Sequence, residues 1–246
     1  MGKRKRLDRL LVERGLVASR EEGRRRILAG EVLVDDRPFA KAGSLIDEDS
    51  PIRLRGKALP YVSRGGVKLE GALRHFQIEV KNKIVLDVGA STGGFTDCLL
   101  AFGARRVYAV DVGYGQLDWK LRNDPRVVVL EKTNIRHLKI EQLQEPPELA
   151  TIDASFISLR LVLPSVRSLL VPKGEVVALI KPQFEVGKGK VGKGGVVRRH
   201  EEHERVIEEI REAAVSLRLE AVGVTESPLL GPKGNKEFFI YLRQND

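Results

Sequence analysis

Near the start of the chain, apolar residues recur at helical spacing. From about residue 83 they give way to short β-branched runs separated by amphipathic stretches. Leu7, Leu10 and Leu11 form a stripe that predicts a first short helix, ended by Gly15. Ser19-Arg20-Glu21-Glu22 has the pattern of a reciprocal cap, in which the Ser19 hydroxyl accepts from the Glu22 N–H. The helix it opens carries Arg20, Arg24, Arg25, Arg26, Ile27 and Leu28, and Gly30 stops it. Glu31-Val32-Leu33-Val34 alternates as a strand does, Asp35-Asp36-Arg37-Pro38 reads as a turn, and the strand Ile52-Arg53-Leu54 follows an acidic loop.

Pro60 and the pair Gly65-Gly66 interrupt this pattern, so 58–67 is expected as a linker. Leu69, Leu73 and Phe76 then mark a short helix from Lys68 to Phe76. Strands are expected at 83–88, 106–111, 126–130, 149–153, 175–180, 219–225 and 237–243, and helices at 93–102, 115–122, 158–170 and 200–217. Apolar strands alternating with helices predict a doubly wound α/β domain over 68–246, behind a small α+β domain over 1–57.

Composition narrows the function classes. The net charge is +9 and residues 1–30 hold ten Lys/Arg against four Asp/Glu, which suits a polyanionic partner. A second basic segment runs from Lys181 to Arg199. No apolar run reaches the roughly 18 residues of a membrane span, and none follows the basic N-terminus as a secretory signal requires. Cys98 is the only cysteine, so neither an internal disulfide nor a cysteine-rich metal site is expected, and a cytoplasmic location is.

Candidate chemistry begins at the first strand of the larger domain. Asp87-Val88-Gly89-Ala90-Ser91-Thr92-Gly93-Gly94-Phe95 is a strand end, a glycine turn and a helix start. Its spacing differs from the G-x-G-x-x-G that cradles a pyrophosphate. An acid leading into the turn resembles the first motif of class I methyltransferases. Asp111 ends the next strand, where a carboxylate can accept both ribose hydroxyls of a nucleoside cofactor. Asn134, after the third strand, suits either an adenine edge or a turn.

The acceptor sets the remaining requirements. Methylation of cytosine C5 needs a cysteine nucleophile, and Cys98 lies in a helix where a core role is expected. Amino-group methylation typically uses an Asn/Asp-Pro-Pro-Tyr/Phe tetrapeptide, whereas Asp153-Ala154-Ser155-Phe156 stands after the fourth strand. A sugar hydroxyl, with its high pKa, needs a positioned base. Asp153 and Lys181 end the fourth and fifth strands, Lys68 precedes the first and Glu237 begins the last, at the edge where α/β sheets bind ligands. Lys68, Asp153, Lys181 and Glu237, in this order, resemble the tetrad of RNA 2′-O-methyltransferases related to FtsJ.

Six segments sharpen the resemblance. They are Ser63-Arg64-Gly65-Gly66-Val67-Lys68-Leu69, the glycine turn, Asp111-Val112-Gly113-Tyr114-Gly115-Gln116-Leu117, Ser155-Phe156-Ile157-Ser158-Leu159, Lys181-Pro182-Gln183-Phe184-Glu185-Val186-Gly187-Lys188 and Gly234-Asn235-Lys236-Glu237. Together they look like the TlyA family of ribosomal RNA cytidine 2′-O-methyltransferases, which also carry the name hemolysin A. The resemblance spans essentially the whole chain. It implies an α/β class I Rossmann-like methyltransferase domain, an N-terminal RNA-binding domain of the ribosomal protein S-four type, S-adenosylmethionine as cofactor, no metal, and ribosomal RNA or assembled subunits as partner. A monomer is expected, and nothing in the chain supports the membrane role that the hemolysin name implies.

The residues expected to hold the cofactor are Asp87, Gly89, Ala90, Ser91, Thr92, Gly93, Gly94, Phe95, Asp111 and Asn134. Lys181 is the expected general base, oriented by Asp153, with Glu237 positioning Lys68 or the ribose. Arg4, Arg6, Arg20, Arg24, Lys41, Arg64, Lys188 and Lys190 are the expected RNA contacts, tracking phosphates rather than reading bases. The glycine- and lysine-rich segment 185–195 is expected to close over RNA beside the active site. The competing readings are a methyltransferase for transfer RNA or a messenger cap, a non-catalytic ribosome-binding factor, and a pore-forming cytolysin, for which no insertion element is visible.

Overall fold

A computed structural model of the chain describes residues 3–17, 19–28, 30–39, 41–55, 60–187, 191–192 and 194–245. It divides into two compact units, Met1–Ala58 and Leu59–Asp246.

The smaller unit runs β1 (Arg4–Arg6), α1 (Leu7–Glu13), α2 (Arg20–Leu28), β2 (Val32–Val34), β3 (Arg37–Pro38), β4 (Leu45–Asp47) and β5 (Ile52–Leu54). The expected cap is present, with the Glu22 N–H donating to Ser19 Oγ at 3.1 Å. Leu7, Leu10, Leu11 and Ile27 pack with Val32, Val34 and Ile46 in one core, so the helical stripe and the alternating strands bury the same faces. β2 pairs antiparallel with β3 and β5. A second pairing had no counterpart in the pattern: β1 pairs antiparallel with β4, Lys5 opposite Ile46. Each strand is three residues long, and β1 is wholly cationic, so neither shows a readable period.

The larger unit runs α3 (Arg64–His75), β6 (Ile84–Val88), α4 (Gly94–Ala101), β7 (Arg106–Val110), α5 (Trp119–Arg122), β8 (Val127–Leu130), β9 (Leu149–Ile152), α6 (Leu159–Leu169), β10 (Glu175–Ile180), α7 (Pro182–Glu185), α8 (His200–Ser216), β11 (Leu219–Glu226) and β12 (Phe238–Gln244). The strands form one seven-stranded sheet in the order β11-β12-β10-β9-β6-β7-β8. β12 runs antiparallel to both of its neighbours, and the other ladders are parallel. Buried side chains cover both faces of the sheet in two apolar clusters, which is why its central strands read as continuous hydrophobic runs.

Two helices differ from expectation. α3 begins at Arg64, inside the segment expected as linker, because Ser63 caps it and accepts from the Gly65 N–H at 3.3 Å. Gly65 and Gly66 therefore sit in a helix. α5 shrinks to one turn capped by Asp118, since Gly113 and Gly115 hold the chain before it in a loop. The start of the segment expected to close over RNA is also helical. Glu185 ends α7, is buried, and accepts from Ser158 Oγ and the Leu159 N–H at the start of α6.

Candidate active site

Parallel strands bring their carboxyl ends to one edge of the sheet. β6 delivers the glycine turn there, β7 Asp111, β9 Asp153 and β10 Lys181. Because β12 is antiparallel, its beginning reaches the same edge. Phe238 pairs with Ile180, which places Glu237 beside Lys181 along the two strands. Topology thus gathers residues spread over more than half the sequence.

Two cavities open along this edge. The larger, of about 460 Å³, lies between the ends of β6, β7 and β9 and is lined by Val88, Asp111, Asn134, Ala154, Phe156 and Ile157 among others. The smaller, of about 250 Å³, is walled by Ser63, Arg64, Lys68, Thr92, Phe95 and Gly231 among others. Gly89, Ser91 and Asp153 line both. At Gly89 the chain turns at φ +84, and a Cβ would lie 2.7 Å from the Asp153 carbonyl oxygen. Glycine lets the turn and the end of β9 approach backbone to backbone.

Asp111 braces the turn that it faces. Its Oδ2 accepts from the Ser91 N–H at 2.8 Å and its Oδ1 from the Gly113 N–H at 2.7 Å. Each oxygen keeps a further lone pair for a ligand hydroxyl. Asn134 is the turn residue of its two alternatives, and it also lines the larger cavity. Its Oδ1 accepts from the Arg136 N–H at 3.1 Å, capping a short turn.

Lys68, Asp153, Lys181 and Glu237 resolve into two ion pairs. Lys68 Nζ donates to Glu237 Oε2 at 2.6 Å, and Glu237 is 1% exposed. Lys181 Nζ lies 2.5 Å from Asp153 Oδ1 and donates to Ser155 Oγ at 2.9 Å. Burial pushes the Asp153 carboxyl above its ordinary range, and the charge of Lys181 pulls it back. Gln183 Nε2 contacts Glu237 Oε1 at 3.4 Å. Ser155 and Gln183 were not foreseen; the one available signal is a polar residue two positions beyond each charged strand end.

Asp87 and Gly93 line neither cavity. Asp87 is fully buried beneath the turn, where it accepts from Thr96 Oγ1 at 2.6 Å and Thr151 Oγ1 at 3.2 Å. Burial pushes its carboxyl up to about 7 against those two donors. It ties β6 to α4 and β9 rather than facing a ligand. A Cβ at Gly93 would meet Leu121 and Leu117, so this glycine makes room for apolar packing.

The expected RNA contacts divide. Arg4, Arg24 and Lys41 are exposed. Arg6 and Arg20 also reach the surface, but both donate to the buried Asp8, Arg6 at 2.9 Å and Arg20 at 3.2 Å. Those guanidiniums hold the Asp8 carboxyl down at about 2. Arg64 donates to the Leu230 carbonyl at 3.1 Å and walls the smaller cavity. Lys188 and Lys190 lie outside the described residues.

The model of the FtsJ-like methyltransferase family matches residues 61–244, and that of the S4 domain matches residues 5–51. A Mycobacterium tuberculosis protein named 16S/23S rRNA (cytidine-2′-O)-methyltransferase TlyA is 47% identical over 99% of this chain and 91% of its own. The chain belongs to the TlyA family of FtsJ-like methyltransferases. A solved structure from Streptococcus thermophilus, provisionally described as a hemolysin, superposes on this TlyA-family chain with a TM-score of 0.78 at 44% identity, covering 100% of this chain and 90% of that one. The fold alone is shared with an S-adenosylmethionine-dependent methyltransferase from Mesorhizobium loti, at 15% identity and a TM-score of 0.54 over 71% of this chain and 96% of that one.

The methyl donor of this TlyA-family enzyme is S-adenosylmethionine. The residues present fit it. The larger cavity falls within the roughly 300–1,000 Å³ of small-molecule sites, is lined by the Asp111 carboxylate and the Asn134 amide, and shares Gly89 and Asp153 with the smaller cavity beside the tetrad.

Proposed function

We propose that this enzyme transfers a methyl group to the ribose 2′-hydroxyl of a cytidine in ribosomal RNA, with Lys181 as general base. The carrying observation is the juxtaposition of the Lys181–Asp153 and Lys68–Glu237 pairs beside the cavities. A sugar hydroxyl is a weak acid and needs such a base, whereas the tetrapeptide of amino-group methylation is absent and the one cysteine lies in the core. Cys98 is fully buried in α4 and its thiol is pushed up to about 12, which removes it as a nucleophile.

Asp111 and Asn134 hold the nucleoside of the cofactor in the larger cavity, and the backbone from Gly89 to Thr92, with Gly94 and Phe95, holds its amino-acid end. S-adenosylmethionine supplies a methyl carbon made electrophilic by its sulfonium. Lys181 would take the proton of the 2′-hydroxyl as that oxygen accepts the methyl group and S-adenosylhomocysteine is left, and the charge of Asp153 would hold the amine in place. Lys68, held by Glu237, lines the smaller cavity and steers the acceptor oxygen. The basic N-terminal domain, with Arg4, Arg24 and Lys41 exposed, supplies phosphate contacts, and Lys188 and Lys190 add to them.

The name of the Mycobacterium tuberculosis relative supports ribosomal RNA as the target. The proposal includes assembled subunits as substrate, a cytoplasmic site of action, and a monomer. Among the described residues no helix is long and apolar enough to cross a membrane. Mass mapping of ribosomal RNA from cells with and without the protein tests the proposal. A cytidine 2′-O-methyl group that disappears with the gene and returns with the purified enzyme is expected; identical maps would overturn it.

A further inference from the structure

The end of β9 carries one more group that contacts the proposed base. Ser155 is exposed, two residues beyond Asp153, and lines the larger cavity. Its Oγ accepts from Lys181 Nζ at 2.9 Å, on a lysine that is 9% exposed. The chain around it is shaped locally. Phe156 takes a left-handed φ of 63, a conformation that a bulky side chain rarely adopts. Its ring lies 5.0 Å from that of Phe184, whose own centroid is 6.0 Å from Lys181 Nζ. The loop bearing Ser155 is therefore anchored on the first turn after β10, the segment that also carries Lys181.

We propose that Ser155 is a positioning residue that, together with Asp153, aims the Lys181 amine at the acceptor hydroxyl. This rests on the reading of Lys181 as general base. A tetrahedral nitrogen has one bond to its own chain and three further directions. Ser155 Oγ, at 2.9 Å, occupies one of them, while Asp153 Oδ1 lies 2.5 Å away as an ion-pair partner outside hydrogen-bond geometry. An ionised carboxylate can only accept, and the serine hydroxyl accepts here. With one N–H bond of the neutral amine fixed on Ser155 and the amine held in place by the Asp153 charge, the lone pair is confined to the two remaining directions, from which the 2′-oxygen must come. With Asp153 alone the amine would turn about its carbon–nitrogen bond and spread the lone pair over several directions. On accepting the substrate proton, the nitrogen donates that proton's hydrogen bond to the new ether oxygen or to water, and the contacts to Asp153 and Ser155 are unchanged.

Single-turnover methyl transfer from labelled S-adenosylmethionine to unmodified ribosomal subunits, followed across pH, tests the role. Two effects of Ser155→Ala point in opposite directions. Misdirection of the lone pair lowers the plateau rate, by about tenfold or more given what an aligned base contributes. Loss of an acceptor for the ammonium disfavours the charged lysine, which moves the rising limb to lower pH by about half a unit or more. Ser155→Thr keeps the hydroxyl and restores both. The reaction is run at saturating S-adenosylmethionine, and the melting temperature stays at the wild-type value in either variant. A lowered plateau without movement of the limb would reduce Ser155 to a structural part and overturn the proposal, as would a wild-type profile in Ser155→Ala. Lys181→Arg separates the two readings. If it is inactive while Ser155→Ala behaves as wild type, only the role of Ser155 falls. If it retains substantial activity, the general-base reading falls and takes this one with it.

Discussion

Lys68 Nζ and Glu237 Oε2 meet at 2.6 Å across 169 residues of sequence, one on the helix before the first strand of the larger domain and the other at the start of the last strand. The Glu237 side chain is 0% exposed and that of Lys68 10%. A pair so placed gains less from attraction than it risks if broken, because either partner left alone is a buried, uncompensated charge.

Glu237→Gln is therefore expected to cost stability as well as turnover. Removing one member of such a pair costs about 3–5 kcal/mol, visible in a denaturant melt. Replacing both members by apolar residues, Lys68→Met with Glu237→Leu, should recover most of the stability and none of the methyl transfer. A double variant as unstable as the single one would show that the pair holds the fold rather than the site.

Gly231 tests the same pair from outside. A Cβ there would stand 2.0 Å from Glu237 Oε1, and that oxygen has little room to retreat because the side chain is buried and held by Lys68. Gly231→Ala should lower the methyl-transfer rate by about tenfold or more through the disturbed pair, while cofactor affinity measured by calorimetry changes little. Unaltered turnover would show that Glu237 can move without consequence.

Asp87 predicts a pH dependence of stability. Its carboxyl is pushed up to about 7 by burial, against about 3.9 in an unfolded chain. Between those values the folded protein keeps a proton that the unfolded chain releases. The contribution to stability is full below about pH 4, falls as pH rises toward 7, and is lost above it. The total is on the order of 4 kcal/mol. Asp87→Asn should flatten that slope in melts taken from pH 4 to 8, with the same slope in both proteins as the contrary result.

Lys181→Arg addresses the base directly. Arginine keeps the charge and can reach Asp153, but with a pKa above 12 it cannot serve as a base. Methyl transfer to ribosomal subunits should be abolished while S-adenosylmethionine still binds. In the wild type the rate should rise with pH and then level off. Substantial activity in the arginine variant would mean that Lys181 only orients the hydroxyl and that solvent takes the proton.

Much of this architecture was legible from local pattern. The seven strands of the sheet were visible as short apolar runs, and the glycine turn with Asp111 marked the cofactor edge, because each depends on neighbours in sequence. Most of what escaped were features whose partners are distant, the start of α3 being a local exception. β1 and β4 are three residues each and acquire meaning only by pairing. α3 starts at Arg64 and runs through the Gly65-Gly66 pair because a serine cap outweighs weak helix propensity. Asp87 looked like a ligand group because it precedes the turn, yet alternation along β6 turns its side chain into the core against Thr96 and Thr151.

The sequence by itself determined the chemistry available to this protein: which charged residues stand at strand ends, which glycines permit the turn, and that the lone cysteine sits in a core helix. Only the tertiary structure decided how the charges are partnered. Lys181 faces Asp153 and Ser155 because β10 runs parallel beside β9, and Lys68 faces Glu237 because the antiparallel β12 brings Glu237 to the carboxyl edge of the parallel strands. Strand direction and neighbour order are properties of the whole sheet. They arise from long-range pairing that no local periodicity encodes, and they turn four separate side chains into two ion pairs around one site.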